Sequence, residues 1–267
     1  MLFSTKQHNI FLNMKILLIG DRATDRYHFG TVKRMSPEAP VPVISGVFKT
    51  KELPGMAANV AENLKALGCT VDTRYGNKIC IKTRYIDVRS NQHLLRIDED
   101  HASDPLALAG INYSDYDAVV ISDYNKGSIG YETVETIRRE YNGPVFVDSK
   151  KTDLKRFEGC FVKVNSLENE RAVSKPDNYY IVTRGSMGAK CGMIEVPSPQ
   201  VEAHDACGAG DTFLAAFAYD YIQNKDIRKA IGYANKAASI TILHTGVYAP
   251  KAEEIERHYG RLVLSNR

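Results

Sequence analysis

Five short runs of mostly β-branched and aromatic residues set the limits on what this chain can fold into. They are Lys15–Ile19, Ala118–Ile121, Val145–Val147, Phe161–Val164 and Tyr180–Val182. Apolar side chains at nearly every position over so short a span fit strands covered on both faces, as in a parallel sheet. Amphipathic patterns lie between some of them. In 57–67, Ala57, Val60, Leu64 and Leu67 share a face, with Gly68 placed to cap the helix. In 131–141, Val134, Ile137 and Tyr141 share a face, and Glu135–Arg139 has the spacing of an i,i+4 ion pair. Strands alternating with helices predict an open α/β sheet.

Residues 26–50 and 78–98 break this rhythm. They carry alternating segments such as Val41–Val47, with Pro40 and Pro42 marking an edge or a strand start. Both are expected to be antiparallel strands outside the main sheet, forming a lid. The segment 211–223 is apolar nearly all round and predicts a buried helix. The Ala- and Ile-rich stretch 227–243 predicts a second helix packed close to its neighbours.

The chain has 267 residues, 43% hydrophobic and 25% charged, with a formal charge of +3. That suits a single globular α/β unit and argues against nucleic acid as a partner. Five cysteines without a CxxC pair read as free thiols in a reducing cytosol. Ile16–Ile19 is too short for a membrane span, and residues 1–13 read as a loose extension with Met14 an alternative start. No membrane association and a cytoplasmic location are expected.

Ligands of open parallel sheets bind beyond the carboxyl ends of the strands. The residues following the five runs are polar: Gly20 and Asp21, Ser122 and Asp123, Asp148 and Lys150, Asn165, then Thr183, Arg184 and Gly185. Each alone is also a common cap or turn residue; together they predict a polar cleft along one sheet edge. Basic residues at Lys82, Arg84, Arg89 and Arg96 form either a solvated face or a hold for a small anion.

The sharpest segment is Asp205-Ala-Cys-Gly-Ala-Gly-Asp211. Gly208, Ala209 and Gly210 enter the buried helix, where free N–H groups can meet an anion. Asp211 stands beside that anion hole, placed to accept a proton from a hydroxyl aimed at a phosphate. The helix start is expected to keep it ionised.

These residues resemble the ribokinase-like (PfkB-type) sugar kinases, whose C-terminal signature is matched by Asp205 through Asp211 and the small Ala215 and Ala216. Ala206 and Cys207 stand where the family has a Thr-rich turn, so a hydroxyl used by a monovalent-cation site is missing. A nearer resemblance is to the heptose 7-phosphate kinases of ADP-heptose synthesis. It is carried by Gly20-Asp21, Asp25-Arg26-Tyr27, the string from Ser36 to Val43, and Pro54-Gly-Met-Ala-Ala-Asn-Val-Ala61, where Met56 replaces a glycine. Ser90-Asn-Gln92 with Arg96 and Asp98, Ser122-Asp-Tyr124 with Lys126-Gly127, Asn165-Ser-Leu-Glu168, Thr183-Arg-Gly185 with Gly188, and Asn235 extend it over about residues 14–250. The chain looks trimmed near 74–80 and 172–178.

The resemblance implies a ribokinase-like domain over residues 1–267: an open, mostly parallel sheet flanked by helices, with lid strands from about 24–52 and 78–98. It implies ATP and Mg²⁺, Asp211 as base, and phosphates at Gly208, Ala209 and Gly210. It further implies sugar contacts from Asp21, Gly55, Asn59 and Asp123, substrate-phosphate contacts from Arg84, Arg96 and Lys126, and nucleotide contacts from Asn165, Thr183, Gly185, Gly188 and Asn235. Asn165 and Glu168 are implied near the metal. A sugar phosphate is the implied acceptor, with a kinase for another sugar or a non-catalytic binding relative as alternatives. A homodimer through the lid is implied, and a separate enzyme for adenylyl transfer, since nothing after about residue 260 encodes one.

Overall fold

The computed structural model describes residues 14–257. The reading of 1–13 as an extension lies outside them. Among the described residues ten strands form one sheet: β1 (Lys15–Met35), β2 (Pro42–Met56), β3 (Thr70–Asp87), β4 (Gln92–Glu99), β5 (Ala118–Asp123), β6 (Val145–Ser149), β7 (Phe161–Asn165), β8 (Tyr180–Thr183), β9 (Ala189–Cys191) and β10 (Ile194–Val196). Their order is β10-β9-β8-β7-β6-β5-β1-β3-β4, with β2 paired to β1. β3, β1, β5, β6, β7 and β8 run parallel; β2, β4, β9 and β10 are added antiparallel. All five apolar runs are strands of the parallel core.

The helices include α1 (Ala57–Ala66), α2 (Tyr131–Glu140), α3 (Ser166–Arg171), α4 (Ala209–Asn224) and α5 (Ile227–Thr241). Alternation along the strands divides them between two cores. Ile16 and Leu18 of β1 join Val60 and Leu64 of α1, Phe217 of α4 and Ala234 of α5. Leu17 and Ile19 face the other way and join Val134 and Ile137 of α2. Ala215, Ala216 and Ala218 of α4 and Ala230, Ala234 and Ala237 of α5 are all buried in the first core, as small residues allow where helices pack closely. Gly68 ends α1 at φ +93, in the region that favours glycine.

Two expectations need correction. The segments 26–50 and 78–98 are not separate from the main sheet: β1 and β3 run unbroken out of it and stay paired in parallel from Lys15–Thr70 to Gly30–Asp87. Their register slips once, after Gly20 and Tyr75, where the chain was expected to be trimmed. β2 and β4 then widen this extension, with Pro42 opening the edge strand β2. Glu135 does not pair with Arg139. It takes Arg156 at 2.6 Å, and Arg139 meets Glu140, because the loop after β6 brings a second cation to the face of α2. Among the described residues no helix is long and apolar enough to cross a membrane.

Candidate active site

Three cavities adjoin at the start of α4. One, of about 600 Å³, lies under the strand extension and is lined by Arg84, Arg96, Lys126, Met56, Cys207 and Asp211 among others. A second, of about 500 Å³, shares Tyr124, Lys150, Gly208 and Asp211 with the first. A third, of about 310 Å³ and mostly apolar, shares Thr183, Gly185 and Gly210 with the second. Asp211 therefore stands where the first two spaces meet.

The entry to α4 depends on its glycines. Gly208 has φ +79, and a Cβ there would lie 2.9 Å from both Asn59 Nδ2 and Val247 Cγ1. A Cβ on Gly210 would lie 2.9 Å from Lys163 Nζ. Bare backbone amides and an ammonium thus face the second cavity together, an arrangement suited to anions.

Asp211 is buried, and its carboxylate is held from two sides. Asn59 Nδ2 donates to Oδ2 and the Tyr124 hydroxyl to Oδ1, both at 2.9 Å. Burial pushes its pKa up to about 6, with Asp148 adding to the rise. The hydrogen bonds from Asn59 and Tyr124 and the charge of Lys163 oppose it. The helix start was expected to keep this acid ionised; desolvation raises its pKa, but at about 6 the carboxylate is still charged at neutral pH.

The other candidates divide. Arg84, Arg96 and Lys126 line the first cavity, and each is ion-paired: Arg84 with Asp25, Arg96 with Asp98 at 2.8 Å, Lys126 with Asp100 at 2.6 Å. Arg89 does not line it. Asp21 is turned away from the space, because its carboxylate accepts from Tyr124 N (2.9 Å), Lys126 N (3.0 Å) and Ser128 Oγ (2.5 Å). Asp123 is likewise enclosed, by Ser149 Oγ, Lys151 Nζ and its own turn at Asn125 N. Asn59 reaches Asp211 instead of open space. Gly55 packs on Asp25, whose Oδ2 would lie 2.5 Å from an added Cβ. Met56, in place of glycine, holds φ 55 with its side chain buried at the cavity wall; a left-handed backbone is costly for such a residue.

Asn165 and Glu168 close a capping box on α3: Asn165 Oδ1 accepts from Glu168 N at 2.9 Å, and Glu168 Oε2 from Asn165 N at 2.8 Å. The remaining Glu168 oxygen takes Lys150 Nζ at 2.5 Å, and the same ammonium lies 3.3 Å from Asp148. Two carboxylates thus converge on one cation beside the second cavity. Among the described residues no group of three or more His, Cys, Asp or Glu forms a metal cage. A cation that keeps most of its waters fits here; a fully protein-ligated one does not. Thr183, Gly185, Gly188 and Asn235 line the apolar third cavity. Asn235 Nδ2 donates to the carbonyls of Val196 and Pro197, which fixes that wall.

Several residues at the site were given no contact role from sequence. Lys163, inside an apolar run, is 3% exposed and pairs with Asp148 at 2.7 Å. Its signal was a lysine in a strand covered on both faces. Tyr124 was noted within a motif without a role. Cys207 Sγ lies 3.6 Å from Arg84 and from the Tyr27 hydroxyl. Arg171 reaches the first cavity from α3, and a lone arginine ending a short helix gives no sequence signal.

Comparison with known proteins accords with this geometry. Residues 165–254 match the pfkB family of carbohydrate kinases. The bifunctional protein HldE of a Nitratiruptor species is 30% identical over 300 residues, which cover 91% of this chain and 64% of that protein; the chain thus spans under two thirds of such a relative. The ribokinase of Thermotoga maritima has a similar fold, with a TM-score of 0.68 at 18% identity, covering 92% of this chain and 99% of its own. So does the Arabidopsis thaliana ribokinase complexed with ribose and ATP, with a TM-score of 0.67 at 15% identity over 92% and 98%. The chain thus has a ribokinase-like sheet and, over the residues that include the Gly208–Asp211 entry to α4, is similar to the pfkB family of carbohydrate kinases.

Proposed function

We propose that this protein transfers the γ-phosphoryl group of ATP to a hydroxyl of a sugar phosphate, most specifically heptose 7-phosphate, giving heptose 1,7-bisphosphate. The observation that carries this reading is the position of Asp211 between two polar cavities, one roofed by cationic strands and one opening onto the glycine-bounded helix start. The acceptor occupies the first cavity, with its phosphate against Arg84, Arg96 and Lys126. These cations favour a phosphorylated acceptor over a neutral sugar. The triphosphate lies along the second cavity at Gly208–Gly210 and Lys163, and the base in the apolar third. The relation to HldE supports the heptose.

Asp211 orients the acceptor hydroxyl and takes its proton. Phosphoryl transfer passes through a loose transition state, so a carboxylate suffices, and positioning with charge stabilisation does most of the work. Glu168 and Asn165, with Asp148 alongside, would hold a Mg²⁺ brought by the nucleotide, which would neutralise charge on the phosphates. The strand extension excludes water from the acceptor. The five free thiols and the need for ATP suit the cytoplasm, and an adenylyltransferase activity would consume the product.

An ADP-release assay over sugars and sugar phosphates tests this. Acceptor-dependent turnover with heptose 7-phosphate is expected. Asp211→Asn should lose roughly 10²–10⁴-fold in kcat while ATP affinity stays within a few-fold. Turnover of an unphosphorylated sugar alone would remove the substrate reading, and an active Asp211→Asn would remove the base. We also propose a homodimer through the outer face of β2 and β4, where Phe48 is 64% and Leu95 54% exposed. Phe48→Lys should then give a monomer by light scattering, and a monomeric wild type would refute it.

A further inference from the structure

The turn after β5 is built around one acid and delivers one hydroxyl. Asp21 Oδ2 accepts from the amides of Tyr124 and Lys126, and Oδ1 from Ser128 Oγ, so a single buried carboxylate holds both arms of the turn. Between them Asn125 takes φ 57 and Gly127 φ 96, where an added Cβ would strike the Ser103 carbonyl at 2.5 Å. The turn has no slack, and it carries the Tyr124 ring to the boundary between the first two cavities. There the ring lies under the Lys150 ammonium, 5.0 Å from its centroid, and the hydroxyl donates to Asp211 Oδ1 at 2.9 Å.

We propose that Tyr124 is a positioning residue for phosphoryl transfer, its hydroxyl locking the Asp211 carboxylate in one orientation while Asp21 locks Tyr124. The inference rests on the kinase reading above. With Asn59 on Oδ2 and Tyr124 on Oδ1, neither oxygen can swing without breaking a buried hydrogen bond. Each still has a lone pair for the acceptor hydroxyl. Both donors favour the charged carboxylate. The charges acting most on Asp211 are Asp148 from β6 and Lys163 from β7, of opposite sign; the amides opening α4 and the neutral Asn59 of α1 adjoin it, Lys150 and Asp25 lie around Tyr124, and the ion-paired Arg84, Arg96 and Lys126 stand across the first cavity. Removing the phenol therefore weakens a hydrogen bond to the ionised base without altering any neighbouring charge.

Tyr124→Phe in the full-length protein deletes one oxygen atom. We expect kcat to fall about ten- to a hundredfold, KM for ATP to stay within about twofold, and the acid midpoint of the kcat–pH profile to move up by about one pH unit. Replacing Tyr124 by 3,5-difluorotyrosine strengthens the donor and should move that midpoint down. A ¹³C NMR titration of the Asp211 carboxyl reads the same displacements without turnover. Displaced titrations in a protein inactive on every sugar would uphold the lock and sink the kinase reading. An active enzyme whose kcat and midpoint are untouched by Tyr124→Phe would overturn the proposal, as would a loss of activity that only follows a loss of melting temperature with the midpoint unmoved.

Discussion

Replacing Lys163 by methionine separates two roles that the structure gives to one ammonium. Lys163 is 3% exposed and Asp148 2%, and their charged atoms lie 2.7 Å apart. Breaking such a pair from one side costs about 3–5 kcal/mol, because the partner is left as an uncompensated buried charge. Asp148 keeps Lys150 at 3.3 Å, which places the cost near the lower end, at about 3 kcal/mol. In a chain of this size that lowers the melting temperature by roughly 6–12 °C. The same ammonium lies beside Gly210, where the triphosphate is proposed to sit. A lost charge-assisted hydrogen bond there weakens ATP binding by about 1.5–3 kcal/mol, roughly ten- to 150-fold. Adding Asp148→Asn removes the stranded charge, so the double variant should melt above either single variant, each of which strands one buried charge. Its ATP affinity by calorimetry should remain reduced relative to the single Asp148→Asn protein. A double variant that binds ATP as well as Asp148→Asn would show that Lys163 only neutralises Asp148.

Asp211 makes both activity and stability depend on pH. With its pKa at about 6, kcat should fall below that value as the base takes up a proton. The folded state binds this proton more tightly than the unfolded state, so the contribution to stability is most favourable below the ordinary value of 3.8 and declines as pH rises to about 6. The gap is worth about 3 kcal/mol, and Asp211→Asn should remove that part of the slope in denaturation measured across the window; an unchanged slope would contradict it. Gly208→Ala imposes φ +79 on an L-residue and presses Cβ to 2.9 Å from Asn59 Nδ2. It should cost at least about 1–2 kcal/mol and lower kcat by loosening Asn59 from Asp211, and a variant with wild-type melting and rate would count against that packing.

The parallel core was legible because consecutive apolar residues leave few alternatives to a strand covered on both faces. The glycine-bounded start of α4 was legible because glycines followed by an all-apolar stretch mark the entry to a buried helix. What the sequence hid was direction. Asp21 and Asp123 follow apolar runs just as Asp148 does, yet the carboxylates of the first two are taken up by neighbouring turns and Asp148 faces Lys163 and the cavity; composition does not say which way a carboxylate points. Asn59 was implied as a sugar contact by the resemblance, which does not say what stands opposite it, and Asp211 lies 152 residues further on. The Asn165–Glu168 pair illustrates the same limit: an N-cap and a metal-side pair use the same residue types at the same spacing, and here the capping box forms. The lid was read as separate because its pattern alternates, whereas β1 and β3 continue into it without a break.

The most direct test is a crystal structure with heptose 7-phosphate and a non-hydrolysable ATP analogue bound together. The γ-phosphate should rest on the amides of Gly208–Gly210, and the acceptor hydroxyl should lie within about 3.2 Å of the Asp211 carboxylate. Nucleotide phosphates bound away from the start of α4, or a sugar hydroxyl that cannot reach Asp211, would contradict the account.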